Sequence, residues 1–223
     1  ALIPFQVRAP GWGVLLLRRA GGDGFTTEEM SVIGELARVV QLHVDQAAAA
    51  VKLRRSAEMD ALTGTMNRRT IDVWIERTFA EAERSGRPVS VLFIDLDHFK
   101  SVNDRFGHGC GDDCLREVSA ALRGVLSEAD MFGRYGGEEF IAVLPGRDGA
   151  EARAIGERMR TAVENVEVRH EGQRVRLTVS IGIATRQRGE DTPAAAIARA
   201  DKALYAAKRQ GRNCVQVAPA VFS

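Results

Sequence analysis

The sequence predicts a layered α/β sandwich, preceded by an N-terminal strand and one long helix. After residue 66, amphipathic segments with a helical period alternate with short apolar runs that are bounded by turn residues. This alternation is typical of helices that pack on the faces of a sheet. The predicted order is helix 67–85, strand 88–95, helices 98–106 and 110–126, hairpin 131–144, helix 149–165, strand 174–183, helix 192–210 and a short strand near 214–218.

The composition is that of an ordinary globular protein, with 45% hydrophobic and 27% charged residues among 223. Lys and Arg number 31 against 30 Asp and Glu, which argues against a general nucleic-acid binder. No apolar run approaches the roughly 18 to 20 residues of a membrane span, and no secretory signal opens the chain. We therefore expect a cytoplasmic protein with three reduced cysteines, Cys110, Cys114 and Cys214.

The N-terminal region reads as part of a longer protein, because the chain lacks an initiator Met and opens in the middle of a pattern. We predict a strand from Gly13 to Arg18 and a glycine-rich turn, AGGDGF, after it. Thr26 or Thr27 then caps a helix with Glu28 and Glu29 in its first turn. From Thr27 to about Met59 nothing but Gly34 interrupts this helix.

One face of the long helix carries an apolar seam at intervals of three and four residues, as a two-stranded coiled coil requires. The seam consists of Ala37, Val40, Val44, Ala47 and Val51. Because the alanine side chains are small, this seam would contribute little to the pairing of two helices. The alternative is a helix that packs against the N-terminal segment of its own chain.

The tract RYGGEEF, residues 134–140, places two glycines and two adjacent carboxylates between apolar stretches. We predict that Gly136 and Gly137 form a tight two-residue turn with positive φ angles. Glu138 and Glu139 then start a strand and point to opposite faces, because the strand period is two. Such a hairpin can present acid groups to a metal ion bound to phosphate. Taken alone, however, the tract favours an ordinary hairpin with solubilising acids.

A second acidic segment follows the apolar run from Val89 to Ile94, which ends abruptly in Asp95 and Asp97. We interpret the run as a buried strand with carboxylates at its tip. Mg²⁺ prefers one or two carboxylates together with substrate phosphates and water. Asp95 and the acid pair of RYGGEEF meet this requirement if the two strands are neighbours. The alternative, mainly for Asp97, is the N-cap of the following helix.

These residues resemble the GGDEF family of diguanylate cyclases, and further landmarks follow in the family's order. They are DALTGTMNRR at 60–69, FIDLDHFKSVND at 93–104, FGHGCGDDCL at 106–115, RYGGEEF at 134–140, LTVSIGIAT at 177–185 and ADKALYAAKRQGRN at 200–213. Six ordered landmarks are far more specific than one pentapeptide. The resemblance covers about residues 55–218 and leaves residues 219–223 as a tail.

Residues 1–54 resemble the closing strand and terminal helix of a GAF sensor domain, followed by a signalling helix. This resemblance is short and uses common residue types, so a PAS-like or unrelated origin is the alternative.

The GGDEF resemblance implies a mostly antiparallel central sheet surrounded by helices, similar to the palm of nucleotide polymerases and to class III cyclases. It also implies the condensation of two GTP molecules into cyclic di-GMP with release of two pyrophosphates. Two Mg²⁺ ions, or Mn²⁺ in their place, would serve each half-site. Each protomer would bind one GTP, so the expected enzyme is a homodimer with facing catalytic domains that the N-terminal helix holds together.

The resemblance also assigns roles at the two acidic segments. Asp95 matches the metal-binding aspartate, and the backbone carbonyl of Leu96 is a further ligand. Glu138 and Glu139 match the acidic positions of the signature, both associated with the metal ions, and Glu138 has also been considered as a base. These three acids are the expected catalytic residues.

Four further positions match residues that bind the nucleotide. Asn103 and Asp112 match a guanine-recognising pair. A carboxylate accepts hydrogen bonds from guanine N1 and N2, whereas adenine presents the opposite pattern at N1 and at the exocyclic group on C6. The backbone amides of Phe99 and Lys100 open a predicted helix and can hold the β- and γ-phosphates.

Two basic residues complete the expected substrate contacts. Lys208 and Arg212 are four residues apart, which places them on one face of the last predicted helix, although Gly211 near its end can bend the chain. We expect both to contact phosphate; the alternative is a solvated helix end. Arg134 is the candidate to neutralise the neighbouring carboxylates.

One departure from the family concerns product inhibition. Many relatives carry an Arg-x-x-Asp motif that ends six residues before the first signature glycine and binds product dimers. Here the stretch runs from Ser127 to Asp130, so the arginine is absent and the site is degenerate. We expect weak or absent product inhibition.

Two other functions stay open at this point. The first is a catalytically silent receptor of the same fold that binds GTP or cyclic di-GMP. The second is an enzyme that makes a mixed cyclic dinucleotide, against which Asp112 argues.

Overall fold

The computed structural model describes residues 2–7, 11–17, 24–186 and 192–219. The chain divides into two compact units, residues 1–57 and 58–223. In the first unit, β1 (Leu2–Val7) and β2 (Gly11–Leu16) form an antiparallel hairpin, and α1 (Thr27–Glu58) is a single helix of 32 residues. No helix among the described residues is both long and apolar enough to cross a membrane.

The N-terminal predictions are partly confirmed. The long helix is present, and Thr26 caps it: its hydroxyl accepts from the Glu29 amide at 3.2 Å, while the Glu29 carboxylate accepts from the Thr26 amide at 2.8 Å. Strand β2 begins two residues earlier than predicted, and β1 was not predicted at all. Arg18 and most of the AGGDGF turn lie outside the described residues. A GAF origin stays a prediction.

The second unit contains four helices and seven strands within its described residues. They are α2 (Arg68–Ser85), β3 (Val89–Leu96), α3 (Phe99–Val125), β4 (Met131–Arg134), β5 (Glu139–Pro145), α4 (Gly149–Glu164), β6 (Val168–His170), β7 (Gln173–Val175), β8 (Val179–Thr185), α5 (Pro193–Arg209) and β9 (Val215–Val217).

Five of these strands form the central sheet, in the order β4-β5-β3-β8-β9. Only the β8–β9 pair of this sheet is parallel. The mostly antiparallel sheet expected from the sequence is therefore confirmed. Because β3 lies in the middle of the sheet, every one of its residues is buried and its C-terminal end is enclosed by neighbouring strands.

Both faces of the sheet are covered by helices, as the strand period of two requires. Leu92 and Ile94 of β3 point to the face covered by α3 and α4, whereas Val91 and Phe93 point to the face covered by α2 and α5. Helix α5 approaches the sheet closely at Gly182, where a Cβ atom would lie only 2.0 Å from the Ala200 carbonyl oxygen. A side chain at this position would push α5 away from β8.

Two predicted elements differ from the structure in instructive ways. The two helices predicted on either side of residues 107–109 form one segment, α3, whose only non-helical residue is Gly107 with φ 80° and ψ 164°. The single strand predicted at 174–183 is divided between β7 and β8. Val175, Leu177 and Val179 are all buried, so the alternating pattern continues while the pairing partner changes from β6 to β3.

Candidate active site

The strand register brings two of the predicted acids together. Asp95 near the end of β3 pairs directly with Glu139 at the start of β5. By the period of two, Glu139 shares the α2/α5 face with Ile141, and Asp95 shares it with Phe93. Glu138 immediately precedes β5, and its carbonyl accepts a hydrogen bond from the Leu96 amide at 3.3 Å. The strands are thus neighbours, as the predicted metal site requires.

Asp95 is almost completely buried and is paired with a lysine. Its side chain is 7% exposed, and its Oδ2 atom lies 2.8 Å from Lys208 Nζ on α5. Burial raises the pKa of Asp95 above its ordinary value, while the hydrogen bond and charge of Lys208 and the charge of Arg212 oppose this effect. One ammonium group therefore offsets only part of the cost of burying this carboxylate.

The pKa values of Glu138 and Glu139 are raised as well. Burial, followed by the charge of Asp95, raises the pKa of Glu138. Burial and Asp95 likewise raise the pKa of Glu139, to which Asp201 on α5 adds, whereas the charges of Lys208 and Arg68 lower it. The charge of Asp95 thus acts on both glutamates, and a cation bound beside these carboxylates would relieve part of the repulsion.

The donor chemistry of this group fits Mg²⁺. Carboxylate and carbonyl oxygens are its preferred protein ligands. Asp95, Glu138, Glu139 and the Leu96 carbonyl are the groups that would hold the ion. Among the described residues, however, no group of three or more Asp, Glu, His or Cys side chains is arranged so that it could hold a metal ion. The positive charge beside Asp95 is that of Lys208.

The hairpin that carries the glutamates is wider than predicted. Neither Gly136 nor Gly137 has a positive φ angle. Four residues connect β4 to β5, and the amides of Tyr135 and Gly136 both donate to the Glu139 carbonyl, at 2.8 and 3.2 Å. Gly136 is required for space instead, since a Cβ atom there would lie 2.3 Å from Glu139 Oε2.

The Arg134 side chain is bonded to Gly137 and Asp60, not to Asp95, Glu138 or Glu139, which it was expected to neutralise. Its Nη2 and Nε atoms donate to the Gly137 carbonyl at 2.6 and 3.1 Å. Its Nη1 atom lies 3.2 Å from Asp60 Oδ1, and Asp60 also accepts hydrogen bonds from Thr63. The loop before Glu138 is therefore tied to residues 60–63.

Asp97 is not a helix cap. The N-cap of α3 is His98, which has a left-handed backbone conformation with φ 57° and makes no side-chain cap. Asp97 is buried and accepts hydrogen bonds from the Thr178 and Ser180 hydroxyls and from the Asn213 amide, at 2.8, 2.7 and 3.0 Å. Sequence reasoning missed this role, because all three donors are distant along the chain.

The predicted guanine pair lies on either side of the kink in α3. The Asn103 side chain lies flat against Gly111, where an added Cβ atom would come within 2.0 Å of Asn103 Oδ1. Asp112 is the next residue and is exposed. The bend at Gly107 thus brings the Asn103 amide and the segment carrying Asp112 to the same place.

The first turn of α3 begins directly beyond the carboxylates. The Ser101 and Val102 amides both donate to the His98 carbonyl, at 2.9 and 3.3 Å. Because the His98 side chain does not cap the helix, the amides of Phe99 and Lys100 at its start are not blocked by that side chain. This is the geometry that the phosphate prediction requires.

Lys208 and Arg212 do not share a helix face. Helix α5 ends at Arg209, and Gly211 and Arg212 have φ angles of 111° and 65°. The Arg212 amide donates to the Ala207 carbonyl at 3.1 Å, so the chain folds back over the helix end. A glycine C-terminal to a helix permits this turn. The charge of Arg212 still acts on Asp95.

Asp130 is buried and already occupied by its own loop. Its Oδ2 atom accepts from the Ser127 amide at 2.8 Å and from the Ser127 hydroxyl at 2.6 Å. Its backbone carbonyl accepts from Arg123 Nη1 at 3.2 Å. The Asp130 side chain therefore stabilises the loop of residues 127–130 through its hydrogen bonds to Ser127.

The raised pKa of Glu138 makes a testable prediction about stability. A glutamate whose pKa is higher in the folded than in the unfolded state contributes stability below its ordinary value of 4.5, and this contribution is lost as the pH rises through the folded value. In metal-free buffer at neutral pH, Glu138→Gln should therefore raise the melting temperature. The difference should disappear below the ordinary glutamate pKa.

Thermal unfolding across this pH range measures the effect, with Glu83→Gln on the exposed side of α2 as the matched control. Mg²⁺ should reduce the advantage of Glu138→Gln by stabilising the wild type. A lower melting temperature of Glu138→Gln at neutral pH would contradict the proposed charge repulsion.

The chain is similar to a known protein family and to several known proteins. The family model "Diguanylate cyclase, GGDEF domain" matches residues 57–214. The chain is 41% identical over 161 residues to the response regulator PleD of Caulobacter vibrioides, an alignment that covers 71% of this chain and 36% of PleD. It is 42% identical over 165 residues to the diguanylate cyclase DosC of Escherichia coli K12, covering 74% of this chain and 36% of DosC.

The chain thus spans about a third of the length of these curated relatives. Among solved structures, the coiled coil and GGDEF domain of DgcB from Caulobacter crescentus, in complex with c-di-GMP, matches with a TM-score of 0.75 and 33% identity. This match covers 86% of this chain and all of that one. The chain belongs to the GGDEF family of diguanylate cyclase domains.

Proposed function

We propose that this protein is a diguanylate cyclase, which condenses two GTP molecules into cyclic di-GMP and releases two pyrophosphates. The observation that carries the proposal is the pairing of Asp95 with Glu139 in neighbouring strands, with Lys208 Nζ 2.8 Å from Asp95. Family membership and the names of the relatives support the same reaction. We place the reaction in the cytosol.

The proposed site uses the carboxylates as a metal cradle. Asp95, Glu138, Glu139 and the Leu96 carbonyl would hold divalent cations, Mg²⁺ or Mn²⁺, two for each half-site. When bound, these ions screen the triphosphate, lower the pKa of the attacking 3′-hydroxyl and stabilise the pyrophosphate that leaves. No separate general base is then needed; if one acts, Glu138 in the hairpin loop is the candidate.

The chain itself contributes orientation and charge. The amides of Phe99 and Lys100 would hold the β- and γ-phosphates at the N-terminus of α3. Lys208 and Arg212 would approach the same phosphates from the end of α5. Because the leaving pyrophosphate gains negative charge as the P–O bond breaks, cations fixed on this side favour the transition state.

Base choice would depend on the kinked part of α3. Asp112 is exposed and follows Gly111, against which the Asn103 side chain packs. A carboxylate there accepts hydrogen bonds from N1 and N2 of guanine, whereas adenine presents an unprotonated N1 that would face it. Such a mismatch leaves polar groups unpaired and disfavours ATP.

Catalysis by one protomer alone would be incomplete, because two nucleotides must react with each other. We propose that two copies face each other and that α1 pairs with its counterpart. In support, α1 exposes many large apolar side chains: Met30, Val32, Leu36, Val39, Val40, Leu42, Val51 and Leu53. Holding two substrates in a reactive orientation can be equivalent to about 10⁵ M or more.

The first prediction from the proposed function concerns the reaction product. Incubation of the chain with GTP, ATP and Mg²⁺ should give a dinucleotide that contains guanine only, identified by mass spectrometry. Asp95→Asn and Glu139→Gln should abolish the product, since each removes a proposed metal ligand. Glu171→Gln, in the turn between β6 and β7, is the matched control and should leave the yield unchanged.

A mixed dinucleotide would contradict the assignment of Asp112, and GTP binding without product would favour a silent receptor. A variant in which the two copies are covalently linked separates this second outcome from a failure to dimerise.

The second prediction concerns assembly. At low protein concentration, the rate should rise with the square of the concentration, because the active species is a dimer. Dilution series followed by pyrophosphate release measure this order. A rate strictly proportional to protein down to nanomolar levels, together with a monomeric mass in solution, would contradict the dimer.

The third prediction concerns inhibition by the product. Asp130 is bound to Ser127, and no arginine stands at position 127. We expect cyclic di-GMP to inhibit weakly or not at all, because no guanidinium grips its phosphate. Inhibition constants from initial rates test this, with Asp130→Ala as a comparison. Tight inhibition that Asp130→Ala removes would show that the degenerate site still functions.

A further inference from the structure

Asp97 lies two residues after Asp95 and its charge raises the pKa of Asp95, yet it forms no hydrogen bond within the carboxylate group. Its three hydrogen bonds lead elsewhere. Thr178 and Ser180, at the start of β8, hold the carboxylate from one side through their hydroxyls. On the other side the carboxylate accepts a hydrogen bond from the backbone amide of Asn213, 116 residues away along the chain. Asp97 therefore joins the end of β3 to the segment that follows α5.

That segment has an unusual backbone. Gly211, Arg212 and Asn213 have consecutive positive φ angles of 111°, 65° and 46°. Residues with a Cβ atom adopt this region only where the surroundings hold them in it. Here the Arg212 amide is held by the Ala207 carbonyl at 3.1 Å, and the Asn213 amide is held by Asp97 at 3.0 Å.

The Asn213 side chain adds a second attachment. Its Oδ1 atom accepts from Arg160 Nη1 at 3.0 Å, and its Nδ2 atom donates to Glu164 Oε1 at 3.1 Å. Arg160 is itself paired with Glu157 and Glu164 on α4. Asn213 is thus fixed from the end of β3 through its amide and from α4 through its side chain, and Arg212 immediately precedes it.

We propose that Asp97 is a positioning residue, which holds residues 211–213 through the Asn213 amide so that the Arg212 side chain faces Asp95 and can contact the triphosphate. The inference rests on the proposed function, because it gives Arg212 a phosphate to bind. The charge of Arg212 lowers the pKa of Asp95, in agreement with a guanidinium near the end of β3. Asp97 itself touches no reacting atom.

The test compares two ligands that differ in their phosphates. The whole chain is titrated, in the presence of Mg²⁺, with 3′-deoxy-GTP, which cannot condense, and with GMP. Asp97→Asn and Arg212→Ala should each weaken 3′-deoxy-GTP binding roughly tenfold, the size of one charge-assisted hydrogen bond. GMP affinity should stay within about twofold, because GMP offers no β- or γ-phosphate. The double variant should be no weaker than Arg212→Ala alone.

Thr178→Val is the matched control, since it removes one hydrogen bond to Asp97 but leaves the Asn213 anchor in place. It should keep the wild-type ratio of the two affinities. A purely structural role for Asp97 would instead weaken both ligands together and would add to the effect of Arg212→Ala. Either result overturns the proposal, as does an Asp97→Asn variant with the wild-type ratio.

If Asp97→Asn does not fold, Gly211→Ala decides the matter. Its Cβ atom would meet nothing within 4 Å, so it disturbs only the backbone conformation of the segment. Selective loss of 3′-deoxy-GTP affinity supports the proposal, and unchanged affinities overturn it. A wild type that does not prefer 3′-deoxy-GTP to GMP would overturn this proposal together with the phosphate role of the proposed function.

Discussion

Negative charge gathered at the end of β3 and the start of β5 is the constraint on which the rest of the second unit depends. Strand register forces Asp95 and Glu139 together, and the hairpin adds Glu138. Burial raises the pKa of all three, and Lys208 compensates for only part of the repulsion. A fold gains no stability from such a cluster, and for this reason the proposed function assigns the cluster to the binding of cations and a polyanion.

The segments around this charge are held by polar contacts from outside the site. Arg134 ties the hairpin loop to Asp60, and Asp97 ties the segment after α5 to the end of β3. Loops would otherwise move, whereas a site of this kind needs its groups fixed to within about 0.5 Å. The hydrogen bonds of Arg134 and Asp97 therefore fix the positions of these loops, as core packing fixes the positions of the helices and strands.

The sequence predicted what local periodicity determines and missed what long-range contacts determine. The largely apolar run of residues 89–94 was enough to predict β3, and the acids after it were enough to predict a carboxylate, Asp95, at the end of this strand. The partners of Asp97 lie 81, 83 and 116 residues away, so no spacing rule could reveal them. The prediction that Arg212 shares a helix face with Lys208 was wrong for a local reason. Helix α5 ends at Arg209, and the positive φ angle of Gly211 turns the chain before it reaches Arg212.

The pairing of Lys208 with Asp95 also depends on how closely α5 approaches the sheet. Gly182 sits against the Ala200 carbonyl and against the Leu204 amide, at the turn of α5 that precedes Lys208. Since no side chain separates strand from helix there, Lys208 Nζ reaches Asp95 at 2.8 Å. In the proposed reaction, a cation would take the place of the ammonium beside Asp95, and the ammonium would turn to phosphate. Each charge then exchanges one partner for another of the same sign while α5 stays where Gly182 fixes it, so the fold can prepare the site without a large movement of the backbone.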